Sequence, residues 1–147
     1  LDIVPGEPNA QIFITRNSQF RIIANQTEIS NFLIDQGYQV VDPSSMTFKQ
    51  QVNIFSRAKL VVGQTGAALA NIMFMQPGTH VVALIADNPF VNEDYFRDYA
   101  HTFDVELTYV SGSIINPHLY NVKDQLDERH MMNAVFSIAL EDIAKAI

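Results

Sequence analysis

Residues 61–71 hold the groups best suited to chemistry. An apolar run ends at Gly63, two polar residues follow, and Gly66, Ala67 and Ala68 then open a predicted helix with small side chains. Without bulk in its first turn, such a helix leaves its first backbone N–H groups open to an anion, which is how many proteins hold phosphate. Small residues also let a helix lie close against a sheet, so the spacing alone leaves both interpretations open.

Cationic side chains form a second candidate group. Arg16 ends the first predicted strand and Arg21 follows it, and there they would either pair with phosphate oxygens or satisfy nearby surface carboxylates. A metal site is not expected, because the four histidines include no i, i+4 pair and the chain has no cysteine. Asn25, Gln26 and Thr27 spell a glycosylation sequon, but we interpret Asn25 as the N-cap of the first helix.

Alternating strands and helices are predicted to position these residues. Five strands are indicated by short β-branched and aromatic runs at residues 11–16, 38–41, 59–63, 79–85 and 105–110. Helices are indicated by the spacing of apolar residues over 25–37, 47–55, 66–74, 92–101 and from about 124 to the C-terminus. Residues 111–117 are expected to form a loop, and residues 1–10 a linker or domain edge.

Local signals mark the ends of the first two helices. Asn25 with Glu28, and Thr47 with Gln50, have capping-box spacing, and Gly37 supplies a left-handed exit from the first helix. The alternation predicts an α/β domain over residues 11–147, with a parallel sheet of about five strands and helices on both faces. In such a sheet a ligand binds beyond the carboxyl ends of the strands, at the topological switch point.

Length and composition exclude several classes of protein. A chain of 147 residues suits one domain, and a net charge of −7 opposes wide contact with a nucleic-acid backbone. No segment approaches the roughly 18 apolar residues of a membrane span, so we expect a soluble domain. The absence of cysteine excludes disulfides and a cysteine nucleophile. Because the chain begins Leu1-Asp2-Ile3 without an initiator methionine, we expect it to be a piece of a longer protein.

Several motifs occur together in an order that is typical of one enzyme family. They are RNSQFRIIAN (16–25), GYQVV (37–41), FKQQVNIF (48–55), GAALAN (66–71) and PGT (77–79). In these motifs the chain resembles the C-terminal half of the family 61 glycosyltransferases, a group labelled capsular polysaccharide biosynthesis proteins in bacteria. The resemblance covers roughly residues 11–85, and several linked motifs in order are more specific than any one of them.

The resemblance implies one Rossmann-like half of a GT-B enzyme, acting in the cytoplasm in surface or capsular polysaccharide synthesis. This half would bind a nucleotide-sugar donor, while a missing N-terminal half would contact the saccharide acceptor and supply the base, so the chain alone would be inactive. Transfer would be inverting and would need neither metal nor other cofactor. No catalytic residue is assigned. The implied substrate-binding residues are Arg16, Arg21, Gln64, Thr65, Gly66, Ala67, Ala68 and Asn71.

Four positions depart from the family pattern. Phe20 precedes Arg21 where a paired arginine is common, and Gln26 follows Asn25 in place of an acid. Thr65 stands where the family usually carries a histidine before the Gly-Ala pair, and Ala83 stands where a glutamate is common after the valines of the fourth strand. These departures support an alternative interpretation, a degenerate non-catalytic α/β module that binds a glycan or a protein partner. A flavodoxin-like or receiver-like domain has less support, because the first strand does not end in an acidic cluster.

Overall fold

The structure of the chain is a computed structural model that describes residues 6–116, 121–122, 125–126 and 133–147. Its strands are β1 (Ala10–Ile14), β2 (Gln39–Val41), β3 (Ala58–Gln64), β4 (His80–Ala86), β5 (Glu106–Ile114), β6 (Asn121–Val122), β7 (Gln125–Leu126) and β8 (Phe136–Ser137). Its α-helices are α1 (Gln26–Asp35), α2 (Phe48–Phe55), α3 (Asp94–Thr102) and α4 (Leu140–Ala146). Two 3₁₀ helices span Pro43–Ser45 and Ala67–Phe74.

The main sheet has the strand order β2-β1-β3-β4-β5-β8. Its first five strands run parallel, and β8 pairs antiparallel with the end of β5. Ile14 lies beside Val41 on one side and Gly63 on the other, which places β1 between β2 and β3. The predicted Rossmann-like α/β fold is confirmed, and the sheet gains one strand beyond the five expected.

Apolar side chains cover both faces of this sheet. On one face Val61 and Val81 join Phe55, Leu69 and Phe96, which come from the helices after β2, β3 and β4. On the other face Val62 and Val82 join the buried side chains of α1 and α4, including Ile29 and Ile143. Because both faces are buried, β3 and β4 read as continuous apolar runs, which is why their sequence identified them as parallel strands.

The predicted helix ends are confirmed in part. Thr47 and Gln50 form the full capping box of α2, and Gly37 has a φ of 88° after α1. Asn25 is the N-cap residue of α1, as predicted, but its side chain makes no capping hydrogen bond to the helix backbone. Instead its Nδ2 donates to the Ile138 carbonyl at 2.7 Å and its Oδ1 accepts from the Ile138 N–H at 3.1 Å. A backbone partner 113 residues away thus replaces the local cap.

The predictions for the C-terminal third are largely wrong. β5 continues to Ile114 through much of the expected loop, of which Pro117 lies outside the described residues. The long helix expected from about residue 124 is replaced by β7, β8 and the short α4, while 127–132 lie outside the described residues. Phe136 and Ile138 are each 1% exposed, a strand-like alternation that the helical spacing concealed.

Close approach between β5 and β8 explains this outcome. A Cβ on Gly112 would collide with the Ser137 carbonyl and would lie 2.5 Å from Cγ1 of Ile138. Glycine therefore lets the chain return alongside β5, and β8 forms there in place of a helix. Among the helices that the structure describes, none has the length and apolar content that crossing a lipid bilayer would require.

Candidate functional site

A polar cleft opens at the carboxyl ends of β1, β2 and β3. The chain turns toward β2 on one side of β1 and toward β3 on the other, so the loops after these strands diverge at this switch point and leave a space between them. The space measures about 440 Å³. Its lining comprises Ile14, Thr15, Arg16, Asn17, Ser18, Asp42, Pro43, Ser44, Gln51, Gln64, Gly66, Ala67, Ala68 and Asn71.

Two guanidinium groups converge on Gly66 at the edge of the polar cleft. Gly66 has a φ of 154°, a conformation that residues with a side chain rarely adopt. A Cβ at this position would lie 3.0 Å from Nη1 of Arg16 and 3.9 Å from Nη2 of Arg21. Gly66 therefore allows both arginines to approach the backbone at the start of the helix that follows.

Arg16 has a buried nitrogen without a hydrogen-bond partner in the described part of the chain. Its Nη1 is inaccessible to solvent, and among the described residues Nη1 has no acceptor and neither Arg16 nor Arg21 forms an ion pair. Burial, and secondarily the charge of Arg21, lower the pKa of Arg16 below its ordinary value. Both effects oppose a positive charge at this place, and an anion bound between the two arginines would relieve both.

Glutamine side chains fix the backbone that carries these arginines. The Gln26 side chain accepts from the Arg16 N–H at 3.1 Å and donates to the Arg16 carbonyl at 3.4 Å. Gln64, which is 7% exposed, donates from Nε2 to the Arg21 carbonyl at 2.6 Å. Arg21 itself has a left-handed φ of 53°. The predicted site residue Gln64 thus acts on Arg21 from the end of β3 and holds an unfavourable backbone conformation in place.

The helix after Gly66 is of the 3₁₀ type, and this refines the prediction of a helix over 66–74. Its first hydrogen bond runs from the Leu69 N–H to the Gly66 carbonyl, so the Ala67 and Ala68 amides stand ahead of the bonded turns. Asn71 donates from Nδ2 to the Ala68 carbonyl at 3.1 Å and to Oε1 of Gln51 at 3.0 Å. Asn71 therefore stabilises the first turn rather than pointing an N–H into the cleft.

A second, more apolar cleft of about 210 Å³ lies beyond β4, and three of the predicted residues line it: Arg21, Gln64 and Thr65. This aromatic cleft is lined by Arg21, Gln64, Thr65, Ala86, Phe90, Val91, Asn92, Phe96, Ala134 and Phe136. The Thr65 N–H donates to the Leu84 carbonyl, which ties this loop to β4. Ala83 is fully buried among the apolar residues of one sheet face and lines neither cleft.

Sequence reasoning missed several polar residues of the polar cleft. The residues it missed are Asp42, Ser44 and Gln51, which follow β2, and Asn17 and Ser18, which follow Arg16. Asp42 accepts from the Ser44 N–H at 3.0 Å and from the Ser44 hydroxyl at 2.6 Å, both through Oδ1. The signal available in the sequence was a carboxylate placed directly after the second predicted strand, at the edge where ligands of α/β sheets bind.

Groups that could bind a metal are dispersed in the part of the chain that the structure covers. There, no three His, Asp or Glu side chains come together as a candidate metal site. His80 is held by Thr108, whose Oγ1 lies 2.9 Å from Nε2. His118 and His130 lie outside the described residues.

The chain matches the model of a known protein family. The family model described as Glycosyltransferase 61 matches residues 2–82, a range that contains all of the residues lining the polar cleft. No curated protein matches the chain.

Proposed function

The chain belongs to the glycosyltransferase 61 family, and we propose that it binds the diphosphate of a nucleotide-sugar donor in the polar cleft. The observation that carries this proposal is the buried, unpartnered Nη1 of Arg16 beside Gly66, with Arg21 close to the same point. A diphosphate is the group that two converging guanidiniums recognise best, since each can donate two parallel hydrogen bonds to phosphate oxygens.

Backbone amides extend the same site. The Ala67 and Ala68 amides stand ahead of the first bonded turn of their 3₁₀ helix and line the polar cleft with Gly66. Amides at a helix start favour negative charge, so they complement the arginines from the opposite side of a bound phosphate. Thr65, which carries no charge, faces the aromatic cleft, and on this proposal the positive charge comes from Arg16 and Arg21.

The chemistry that we propose is inverting transfer without a metal ion. A hydroxyl of the saccharide acceptor attacks the anomeric carbon of the donor, a general base takes its proton, and the bond from that carbon to the diphosphate breaks. Negative charge grows on the departing diphosphate, where Arg16, Arg21 and the two amides would stabilise it. The base and the acceptor contacts belong to the N-terminal half of the enzyme, and the role in surface or capsular polysaccharide synthesis remains part of the proposal.

The family match favours this enzyme over the alternative of a non-catalytic binding module. A calorimetric titration of the chain tests the proposal, with UDP, GDP, CDP and ADP in a buffer containing a chelator. We expect one of these nucleotides to bind without metal. Arg16→Met should weaken that nucleotide about a hundredfold, since two charge-assisted hydrogen bonds are lost.

A matched control is Arg57→Met, because Arg57 is an exposed arginine after α2 that lines none of the clefts described above. This variant should bind like the original chain. Equal affinities for Arg16→Met and the original chain, or no binding of any of the four nucleotides, would overturn the proposed donor site.

A further inference from the structure

The loop between β1 and α1, which carries Arg21, is bound by a segment far away in the sequence. This segment comprises residues 133–138, contains β8, and is called the β8 segment below. Backbone hydrogen bonds join the two: from the Arg21 N–H to the Asn133 carbonyl at 3.3 Å, from the Ala24 N–H to the Phe136 carbonyl at 2.8 Å, and from the Phe136 N–H to the Ile22 carbonyl at 3.0 Å. The loop therefore lies beside the β8 segment much as a further parallel strand would.

The β8 segment is itself fixed to the sheet. On its other side β8 pairs with β5, and the Ile115 N–H donates to the Val135 carbonyl at 2.9 Å. Its alternate side chains, Ala134, Phe136 and Ile138, are each at most 2% exposed, so apolar packing holds the segment as well. The β8 segment thus ties the loop to the edge of the sheet.

The side chain of Asn25 completes this connection. Its Nδ2 donates to the Ile138 carbonyl at 2.7 Å and its Oδ1 accepts from the Ile138 N–H at 3.1 Å, so one amide satisfies both backbone groups of a residue in the β8 segment. A primary amide is suited to this, because it carries a donor and an acceptor side by side. Asn25 lines neither the polar nor the aromatic cleft, so it can affect a ligand there only through the loop.

Arg21 needs such support because of its backbone. A left-handed φ of 53° is unfavourable for arginine and persists only where neighbouring groups impose it. The β8 segment binds the Arg21 N–H, and Gln64 binds the Arg21 carbonyl, so the residue is held from both sides. If the β8 segment moved away, the backbone of Arg21 would relax and its guanidinium would leave the neighbourhood of Gly66.

We propose that Asn25 is a positioning residue: by holding the β8 segment against the loop, it keeps the Arg21 guanidinium beside Gly66, where a phosphate binds. This role rests on the proposed function, since the place of Arg21 matters for binding only if an anion occupies the polar cleft. The family match covers residues 2–82, so a site that lies within the matched range depends on a segment beyond it.

The test compares Asn25→Ala with the original chain, by calorimetry with inorganic pyrophosphate and by amide hydrogen exchange without ligand. Alanine removes the hydrogen bonds to Ile138 and an exposed one to Glu28, but no capping bond to the backbone of α1. We expect pyrophosphate to bind about tenfold more weakly, because one of two guanidiniums is displaced. The Arg21 and Ala24 amides should exchange faster than in the original chain.

Val81→Ala is the control for a general loss of stability. Val81 is fully buried on the sheet face opposite to Phe136 and Ile138, and it lines neither cleft. The smaller side chain weakens core packing, so the amides of β3 should exchange faster. The affinity for pyrophosphate and the exchange of the Arg21 and Ala24 amides should match those of the original chain.

The results that overturn the inference are distinguishable from failure of the proposed function. If Asn25→Ala binds pyrophosphate as tightly as the original chain, leaves the exchange of the Arg21 amide unchanged, or loses no more affinity than Val81→Ala, then Asn25 does not position Arg21 and the donor site stands. If the original chain does not bind pyrophosphate, the proposed donor site fails and this role of Asn25 fails with it.

Discussion

The edge of the sheet and the apolar core beneath it each hold a buried polar atom without a hydrogen-bond partner among the described residues. At the edge the atom is Nη1 of Arg16, beside Gly66 and a cleft of about 440 Å³. In the core it is the hydroxyl of Tyr38, which is 5% exposed and packs in the cluster that contains Phe13 and Leu33. Both atoms are buried and, within the described part of the chain, unpartnered, but Nη1 of Arg16 lies beside a cleft whereas the Tyr38 hydroxyl lies among apolar side chains.

The surroundings of each atom decide whether it can contribute to a binding site or only lowers the stability of the fold. An unsatisfied hydroxyl in a core lowers the free energy of unfolding by about 1–3 kcal/mol. This loss is not recovered, because no ligand reaches the hydroxyl. An unsatisfied guanidinium at a cleft also destabilises the ligand-free protein. When an anion binds to it, the new hydrogen bonds offset this destabilisation. Removing the unpartnered group at the edge should therefore lower ligand affinity and raise stability, whereas removing the unpartnered group in the core should change stability alone.

The largest effect is expected from Gly66→Ala. The new Cβ would meet Nη1 of Arg16 at 3.0 Å, and the backbone at φ 154° suits only glycine. Nucleotide affinity should fall about a hundredfold and the free energy of unfolding by about 1–3 kcal/mol. Calorimetry and denaturant titration measure the two quantities.

Gly78→Ala is the matched control, since Gly78 also has a positive φ, 76°, and has no neighbour within 4 Å of its Cβ position. It should lose stability and keep full affinity. If both variants keep their affinity, Gly66 has no role in binding.

Arg16→Met should move stability in the opposite direction from binding. Burial and Arg21 both disfavour the charge on Arg16 and lower its pKa, so the ligand-free variant should unfold at a higher temperature than the original chain. Pyrophosphate should stabilise the original chain against heat and leave the variant unchanged. A variant that unfolds at a lower temperature would show that Arg16 is structural.

The smallest effect is expected from Tyr38→Phe. Removing a buried hydroxyl without a partner should raise the free energy of unfolding by up to about 1 kcal/mol at neutral pH and leave nucleotide affinity unchanged. Chemical denaturation and calorimetry measure these effects. A loss of stability above 1 kcal/mol would mean that the hydroxyl has a hydrogen-bond partner.

Tyr38 should also make the stability of the protein depend on pH. Burial raises the pKa of Tyr38 to about 12, from about 10 in the unfolded chain. The unfolded state therefore loses its proton first, and stability due to neutral Tyr38 is complete below pH 10 and is lost as the pH rises toward 12. The difference in unfolding free energy between Tyr38→Phe and the original chain should grow over this interval. A constant difference would contradict the raised pKa.

The sequence predicted the sheet through β4 well, for a physical reason. Strands buried on both faces are apolar throughout, and the turns between them are marked by Gly37 and by Pro77 with Gly78. The convergence of Arg16 and Gly66, fifty residues apart in sequence, follows once β1 and β3 are known to be neighbours. Their role as an anion site stays a prediction that the titrations above will test.

Where the sequence-based prediction differs from the structure, contacts with residues distant in the sequence determine which structure the segment adopts. Phe136, Ala139 and Ile143 fit a helical spacing, but Gly112 lets β8 approach β5, and pairing with that strand prevails over the helical pattern. Asn25 is of a residue type that often caps helices, but its side chain forms hydrogen bonds with the backbone of Ile138 instead of with the first turn of α1. Asp42 directly follows the second predicted strand, but the sequence does not show which strands flank β1, so its place in the polar cleft became clear only from the structure.

The most direct test of the central claim is to follow backbone amide resonances by NMR while inorganic pyrophosphate is added to the chain. We expect the largest shifts at Gly66, Ala67 and Ala68, saturating with added ligand, and no shift around Tyr38. Saturable shifts confined to other residues, or no saturable shift at all, would contradict a diphosphate site at the edge of the sheet.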